Sequence, residues 1–413
     1  MLYLTILWLF IILLALLLKK QLEIKLNSFI CIILTVVIVL FAININTCIN
    51  AALDGCKLWY KAILPTTFPF LIICNLLISY DGISLYSKFL GPIVCKPLSL
   101  SKNCSFPLAA SVLCGYPMGA KYCADLYTMG YIEKEEYIRL LNIASNVGPL
   151  FLIGSVASAL LNNIALGYIL LIGSYISCIF IGIITKKKRT FKNKSSLKNN
   201  IHSIPNLGIA IKNSIENSIT TVLNIGGFII IFSIIISLIK NSTIITLFIR
   251  NIEHILKIPS GALYSVLLGS IEITNGCNLL SSLSISMPLK LSLISFLCSF
   301  SGLAIIAQVI SFIGNTDIKI SRYIFFKLIQ GIFAFIITYI LMLIIPSSIY
   351  ASNITITSYS PLRYCMFPVT AMLVLSILFK VSAVLFAVST RTRCAESLPA
   401  PAHIFATNVC SCA

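Results

Sequence analysis

The chain has 413 residues, 58% of them hydrophobic and only 10% charged, with a mean hydropathy of +1.01. A soluble domain carries roughly 25% charged residues, so the composition excludes a water-soluble globule and describes an all-α polytopic membrane protein. Thirty Lys and Arg against twelve acids give a formal charge of +18. They collect in short loops between apolar runs, as cytoplasmic loops of membrane proteins do, so the lipid bilayer is the expected partner and nucleic acid is not.

A helix crossing about 30 Å of hydrocarbon needs roughly 17–25 apolar residues. The first such run, 2–18, lacks a basic leader and a small-residue cleavage site and is followed by Lys19 and Lys20. It is expected to be a retained anchor with its N-terminus outside. A span at 29–45 completes an N-terminal helical region, 1–45. A first repeat, 50–185, begins with a surface helix at 50–61 and a span at 63–79. Residues 104–129 are apolar but interrupted by Gly115, Tyr116 and Pro117. Helix breakers open backbone groups that lipid cannot satisfy, so this stretch must be buried in protein or line a wet cavity. Spans at 140–161 and 164–185 close the repeat.

A basic linker, 186–217, follows, and its end, 201–219, has the spacing of an interfacial amphipathic helix. The second repeat, 218–346, contains a span at 222–239 and a second interrupted stretch, 259–286. Further spans lie at 289–313 and 323–345. From Pro361 the Ile and Asn content falls and Ala, Val, Arg, Pro and Cys take over. The segment 360–413 is an atypical tail: either an extra span at 365–388 or sequence foreign to the rest, and no functional residue is placed there.

Charge parity decides how the interrupted stretches cross. With loop 19–25 inside, spans 29–45 and 63–79 bring Lys88, Lys96 and Lys102 inside. If 104–129 is a re-entrant hairpin, the cluster Lys186, Lys187, Lys188 and Arg189 also lands inside; a full span would put it outside, against the positive-inside tendency. Treating 259–286 alike places Lys319, Arg322 and Lys327 inside, and Lys240, Arg250 and Lys257 outside. The expected fold is an inverted repeat with two re-entrant or broken helical segments, the pattern of many secondary transporters.

The candidate substrate-binding residues lie at the breaks. An intramembrane ionisable residue is a functional candidate by default, and Lys121 follows Gly119, whose lack of a side chain permits close approach. Lys121 would attract an anionic group beside the half-helix opened at Gly115; alternatively it snorkels or pairs with Asp125 one turn on. Glu272, with Thr274 and Asn275, is either a proton or coupling-cation site or a buried partner of Lys121. Asn146 and Gln308 fall in corresponding helices of the two repeats, as ligand contacts or as interhelical ties. Tyr116 could stack on a planar ring or simply pack.

The fifteen cysteines mostly lie in apolar runs and form no pair of CxxC clusters, so they are taken as small core residues. No metal site or cofactor is expected, the coupling ion is unidentified, and no Walker loop, zincin or Ser-His-Asp set suggests an enzyme.

Four motifs carry a resemblance: Cys114-Gly-Tyr-Pro-Met-Gly-Ala-Lys121, Ser145-Asn-Val-Gly-Pro149, Glu272-Ile-Thr-Asn-Gly276 and Ser299-Phe-Ser-Gly-Leu-Ala-Ile-Ile-Ala-Gln-Val309. In order and spacing they resemble the YlbJ-type sporulation integral membrane proteins of the nucleoside-recognition (Gate) domain group, over about 2–346. The resemblance implies an endospore-forming bacterium, a role in spore development and movement of dipicolinate toward the forespore. The mother-cell or outer forespore membrane is the implied location, and the implied fold is related to concentrative nucleoside carriers. Ser301, Ala304 and Ile306 depart from the glycine, serine and histidine that the last motif leads one to expect. A permease for dipicolinate or a similar small organic anion is the first expectation. A nucleoside or other solute carrier, or a non-transporting protein of spore-envelope assembly, are the alternatives; a homo-oligomer is left open.

Overall fold

A computed structural model describes residues 26–186, 206–314 and 318–345. The expected anchor at 2–18, nearly all of the basic cluster after Lys186 and the tail from 346 lie outside these residues. Among the described residues the fold is all-helical. Helix α1 (Leu26–Ile43) bends by 100° into α2 (Ile45–Leu58). A π-type turn (Trp59–Ile63) carries α2 without interruption into α3 (Leu64–Ser79). The surface helix expected at 50–61 is therefore part of a rod, 45–79, that includes the first span.

After the rod the chain turns by 89° into α4 (Gly82–Phe89). Helices α5 (Ser105–Cys114) and α6 (Met118–Thr128) flank the first break. Then come α7 (Lys134–Ile143), the π-wound α8 (Leu150–Leu160) and α9 (Ile164–Ile184). The continuous span expected at 140–161 is thus replaced by two helices around a non-helical turn. Pro149 has no N–H to continue a helix, and the Ser145-Asn-Val-Gly run before it carries polar backbone that is buried rather than lipid-exposed.

The second half repeats this order. A rod, α10 (Leu207–Asn241), is followed by the amphipathic α11 (Thr243–Ile255). Then come the broken pair α12 (Ala262–Ile271) and α13 (Ile273–Ser282), a second broken pair α14 (Met287–Phe300) and α15 (Gly302–Ile313), and α16 (Ile320–Ile344). Rod α10 absorbs the separate interfacial helix expected at 201–219. Ser214 and Ser218 of this stretch pack on α3, where Asn75 Nδ2 donates to Ser218 Oγ at 3.0 Å.

Close glycines show that the broken pairs fold back as hairpins. A Cβ on Gly276 would overlap Gly269 across the α12–α13 tip, so the two backbones touch there. Packing is reciprocal between the units. Helix α6 of the first lies on α15 of the second, while α13 of the second lies on α8 of the first. The rods pack on each other, and α9 packs on α16. Helices α9, α10, α14 with α15, and α16 are each long and apolar enough to cross a membrane. The repeated element order and the reciprocal packing are those of two units related by an approximate two-fold axis.

Helix α16 shows how the membrane sorts side chains. Phe325, Leu328, Ile332, Ile336 and Leu343 are exposed on one face, whereas Tyr323, Lys327, Gln330 and Thr338 are buried on the other. Apolar surface faces lipid, and the polar stripe faces protein.

Candidate functional site

Both hairpin tips are built by local backbone chemistry. In the first, Gly115 has φ +74°, and a Cβ on it would overlap the Gly148 nitrogen. Only glycine meets both demands, so the two breaks of the first unit, 115–117 and 144–149, rest directly on each other. In the second, Glu272 is the N-cap of α13. Its carboxylate accepts from the main-chain N–H groups of Thr274 and Asn275, both at 2.9 Å, and from Asn275 Nδ2 at 2.9 Å. An acid at this position also complements the positive helix terminus. Asn275 Oδ1 then accepts from Lys240 Nζ at 2.6 Å, so Glu272, Thr274 and Asn275 form one cluster with the end of rod α10.

Lys121 is mostly buried on α6, and its ammonium is 2.7 Å from Asp125 Oδ2, one turn on, with the Tyr122 ring centroid 4.8 Å away. Lys121 and Glu272 are not joined as the buried pair considered from sequence. Each is satisfied locally, because Lys121 lies one turn beyond the first break whereas Glu272 is the tip itself.

Lys121 and Asp125 face a cavity of about 410 Å³ between α3, α6, α10 and α15. Its walls are amide- and hydroxyl-rich: Asn75 on α3, and Asn213, Ser214, Asn217, Thr221 and Asn224 on α10. The α10 residues recur every three or four positions, so they share one helix face. Ser214 Oγ is buried without a hydrogen-bond partner among the described residues. A volume of this size suits a small organic molecule, and Lys121 with Asp125 are the charged residues of its lining.

A second polar cluster lies where the units meet. Asn146, in the α7–α8 break, accepts through Oδ1 from Gln330 Nε2 of α16 at 2.9 Å, and its own amide donates to the Ile143 carbonyl at 2.5 Å. Lys327 Nζ donates to Gln330 Oε1 at 2.8 Å, to Tyr116 Oη at 3.3 Å and to the main-chain carbonyl of Ser145. Tyr116 itself donates toward the Cys298 and Ser299 carbonyls at 3.3 Å. Tyr116 is therefore engaged at the junction of the units. Gln308 is buried on α15, outside this network.

Sequence reasoning missed Lys327, Gln330 and the α10 stripe. Lys327 had been placed with the cytoplasmic loop charges, although it lies within the apolar run 323–345. The i, i+3 pair Lys327 and Gln330 inside that run was the available signal. The stripe was visible as well, but it was assigned to a helix lying on the membrane surface.

The chain is similar to the sporulation integral membrane protein YlbJ of Bacillus subtilis (strain 168). The two are 27% identical over 306 residues, 69% of this chain and 75% of that protein. This bears out the resemblance carried by the four motifs, without extending it to the Gate group. No family model matches the chain, and no solved structure matches it significantly.

Proposed function

We propose that this chain is a membrane permease of a sporulating bacterium that moves a small organic anion, dipicolinate being the first candidate, toward the forespore. The polar cavity between the two rods carries this reading. Such a cavity, with a lysine in its wall and set between two-fold-related units with paired broken segments, is the arrangement in which secondary transporters hold solutes. The name of the relative supports the sporulation setting. Lys121 supplies the cationic group in the cavity, and the amides of Asn75, Asn213, Asn217 and Asn224 supply donors for carboxylate and ring-nitrogen acceptors.

One observation favours a second reading, a carrier of neutral polar solutes such as nucleosides. Asp125 already neutralises Lys121, so the cavity lining has no formal net charge. The two are separated by expressing the chain in an endospore former deleted for its own relative and measuring dipicolinate in mother cells and spores. An anion permease returns dipicolinate to the spore. A neutral-solute carrier leaves it stranded in the mother cell, and an assembly role appears as cortex defects that precede any shortage.

A further inference from the structure

Lys327 is the buried cation that the cavity does not explain. It is 1% exposed in the middle of the buried stripe of α16. Its three acceptors are all neutral: the Gln330 amide oxygen, the Tyr116 hydroxyl and the Ser145 carbonyl. The Tyr116 ring, with its centroid 5.1 Å away, adds only a quadrupole. Among the described residues no carboxylate pairs with it, in contrast to Lys121. A charged side chain at membrane depth is costly, and it is characteristically paired with an opposite charge or placed on a solute path. Lys327 lacks the first, and it reaches from the closing helix of the second unit to both breaks of the first.

We propose that Lys327 is the counter-charge of a carboxylate subsite at the junction of the two units, distinct from the Lys121 cavity. The inference rests on the anion-permease reading. An arriving carboxylate replaces Gln330 Oε1 as the ammonium's acceptor. Gln330 keeps one amide N–H on Asn146 through the 2.9 Å bond and offers its second N–H to the carboxylate, and the Tyr116 hydroxyl donates to it in exchange for the Cys298 and Ser299 carbonyls. The subsite therefore adds an unneutralised positive charge to the one that Lys121 shares with Asp125.

The test uses the purified full chain in detergent, with dipicolinate as probe and its neutral diamide as control. Wild-type protein is expected to bind dipicolinate and not the diamide. Lys327→Gln, which keeps a donor for the Ser145 carbonyl, should weaken dipicolinate binding by about ten- to a hundredfold, the loss of one charge-assisted hydrogen bond. Lys327→Arg should recover part of it. Equal dipicolinate affinity in wild type and in folded Lys327→Gln overturns the subsite and leaves the permease reading intact. Wild-type protein with no affinity for dipicolinate overturns the reading and the inference with it. Should the variants fail to fold, wild-type protein is treated with a small amine-acylating reagent and modification of Lys327 is read by mass spectrometry. Protection by dipicolinate supports the subsite; unchanged labelling, or no labelling of Lys327 at all, overturns it.

Discussion

Gln330 donates its amide to Asn146 Oδ1 at 2.9 Å, tying the last helix of the second unit to the break in the first. Two hydroxyl bonds repeat the exchange in both directions. Ser145 and Tyr323 Oη are 2.7 Å apart, joining the first unit's break to α16, while Ser299 Oγ donates to Ser174 Oγ at 3.2 Å, joining the end of α14 to α9. A serine at or beside each break thus bonds to the closing helix of the other unit, as two units related by a two-fold axis require.

Gln330→Ala should lower stability by about 1–2 kcal/mol, because it strips a bond from Asn146 and leaves buried polar groups under-satisfied. Thermal unfolding in detergent reads the loss. A cycle with Asn146→Ala should give a coupling of at least about 0.5 kcal/mol, since the two side chains touch. Strict additivity would mean that the bond contributes nothing to joining the units.

Gly276→Ala tests the hairpin. The new methyl would overlap the Gly269 backbone, and overpacking of this kind costs typically 1–3 kcal/mol. Reduced abundance and a lower melting temperature are expected, with Gly276→Val worse than Gly276→Ala. Wild-type stability in both variants would show that α12 and α13 do not fold against each other.

Lys121 and Glu272 should behave independently. Each has its own local partners, so a double-mutant cycle on stability between Lys121→Met and Glu272→Gln should close to within about 0.5 kcal/mol. Lys121→Met with Asp125→Asn should instead couple. A large Lys121–Glu272 coupling would restore the buried pair considered from sequence.

The topology has its own check. If the hairpins return to their own side, the loops at 88–102 and 315–322 should lie on the same, cytoplasmic face as the linker at 186–198. Single cysteines introduced there, in a background cleared of native thiols, should react only after the membrane is opened. Labelling of the 186–198 linker from outside intact cells would remove both the hairpin and the inversion.

The first hairpin was legible because Gly115 and Pro117 forbid what an apolar run otherwise does, and charge parity pointed to its return; the break at Pro149 was read through as part of a span at 140–161. The rods were not legible. Polar residues at 45–61 and 207–219 are common in surface helices, and only the packing of one rod on the other, through small residues such as Cys48, Gly55, Ser214 and Ser218, shows that each stretch belongs to a longer helix. Lys121 was found because it follows a glycine break, and its pairing with Asp125 was one of the alternatives that the one-turn spacing offered. Glu272 was read as part of the second broken segment, but its capping role depends on which helix begins there, which periodicity does not resolve. Lys327 was overlooked because counting charges by loop assigns a lysine near a helix end to the interface, whereas the side chain turns inward toward Ser145.

Uptake by the purified chain in sealed liposomes tests the permease proposal most directly. Labelled dipicolinate should enter protein-containing vesicles saturably and faster than empty ones. Lys121→Met should abolish this uptake while the protein still inserts. Uptake of dipicolinate no greater than in empty vesicles, by protein shown to be folded and inserted, would contradict an anion permease.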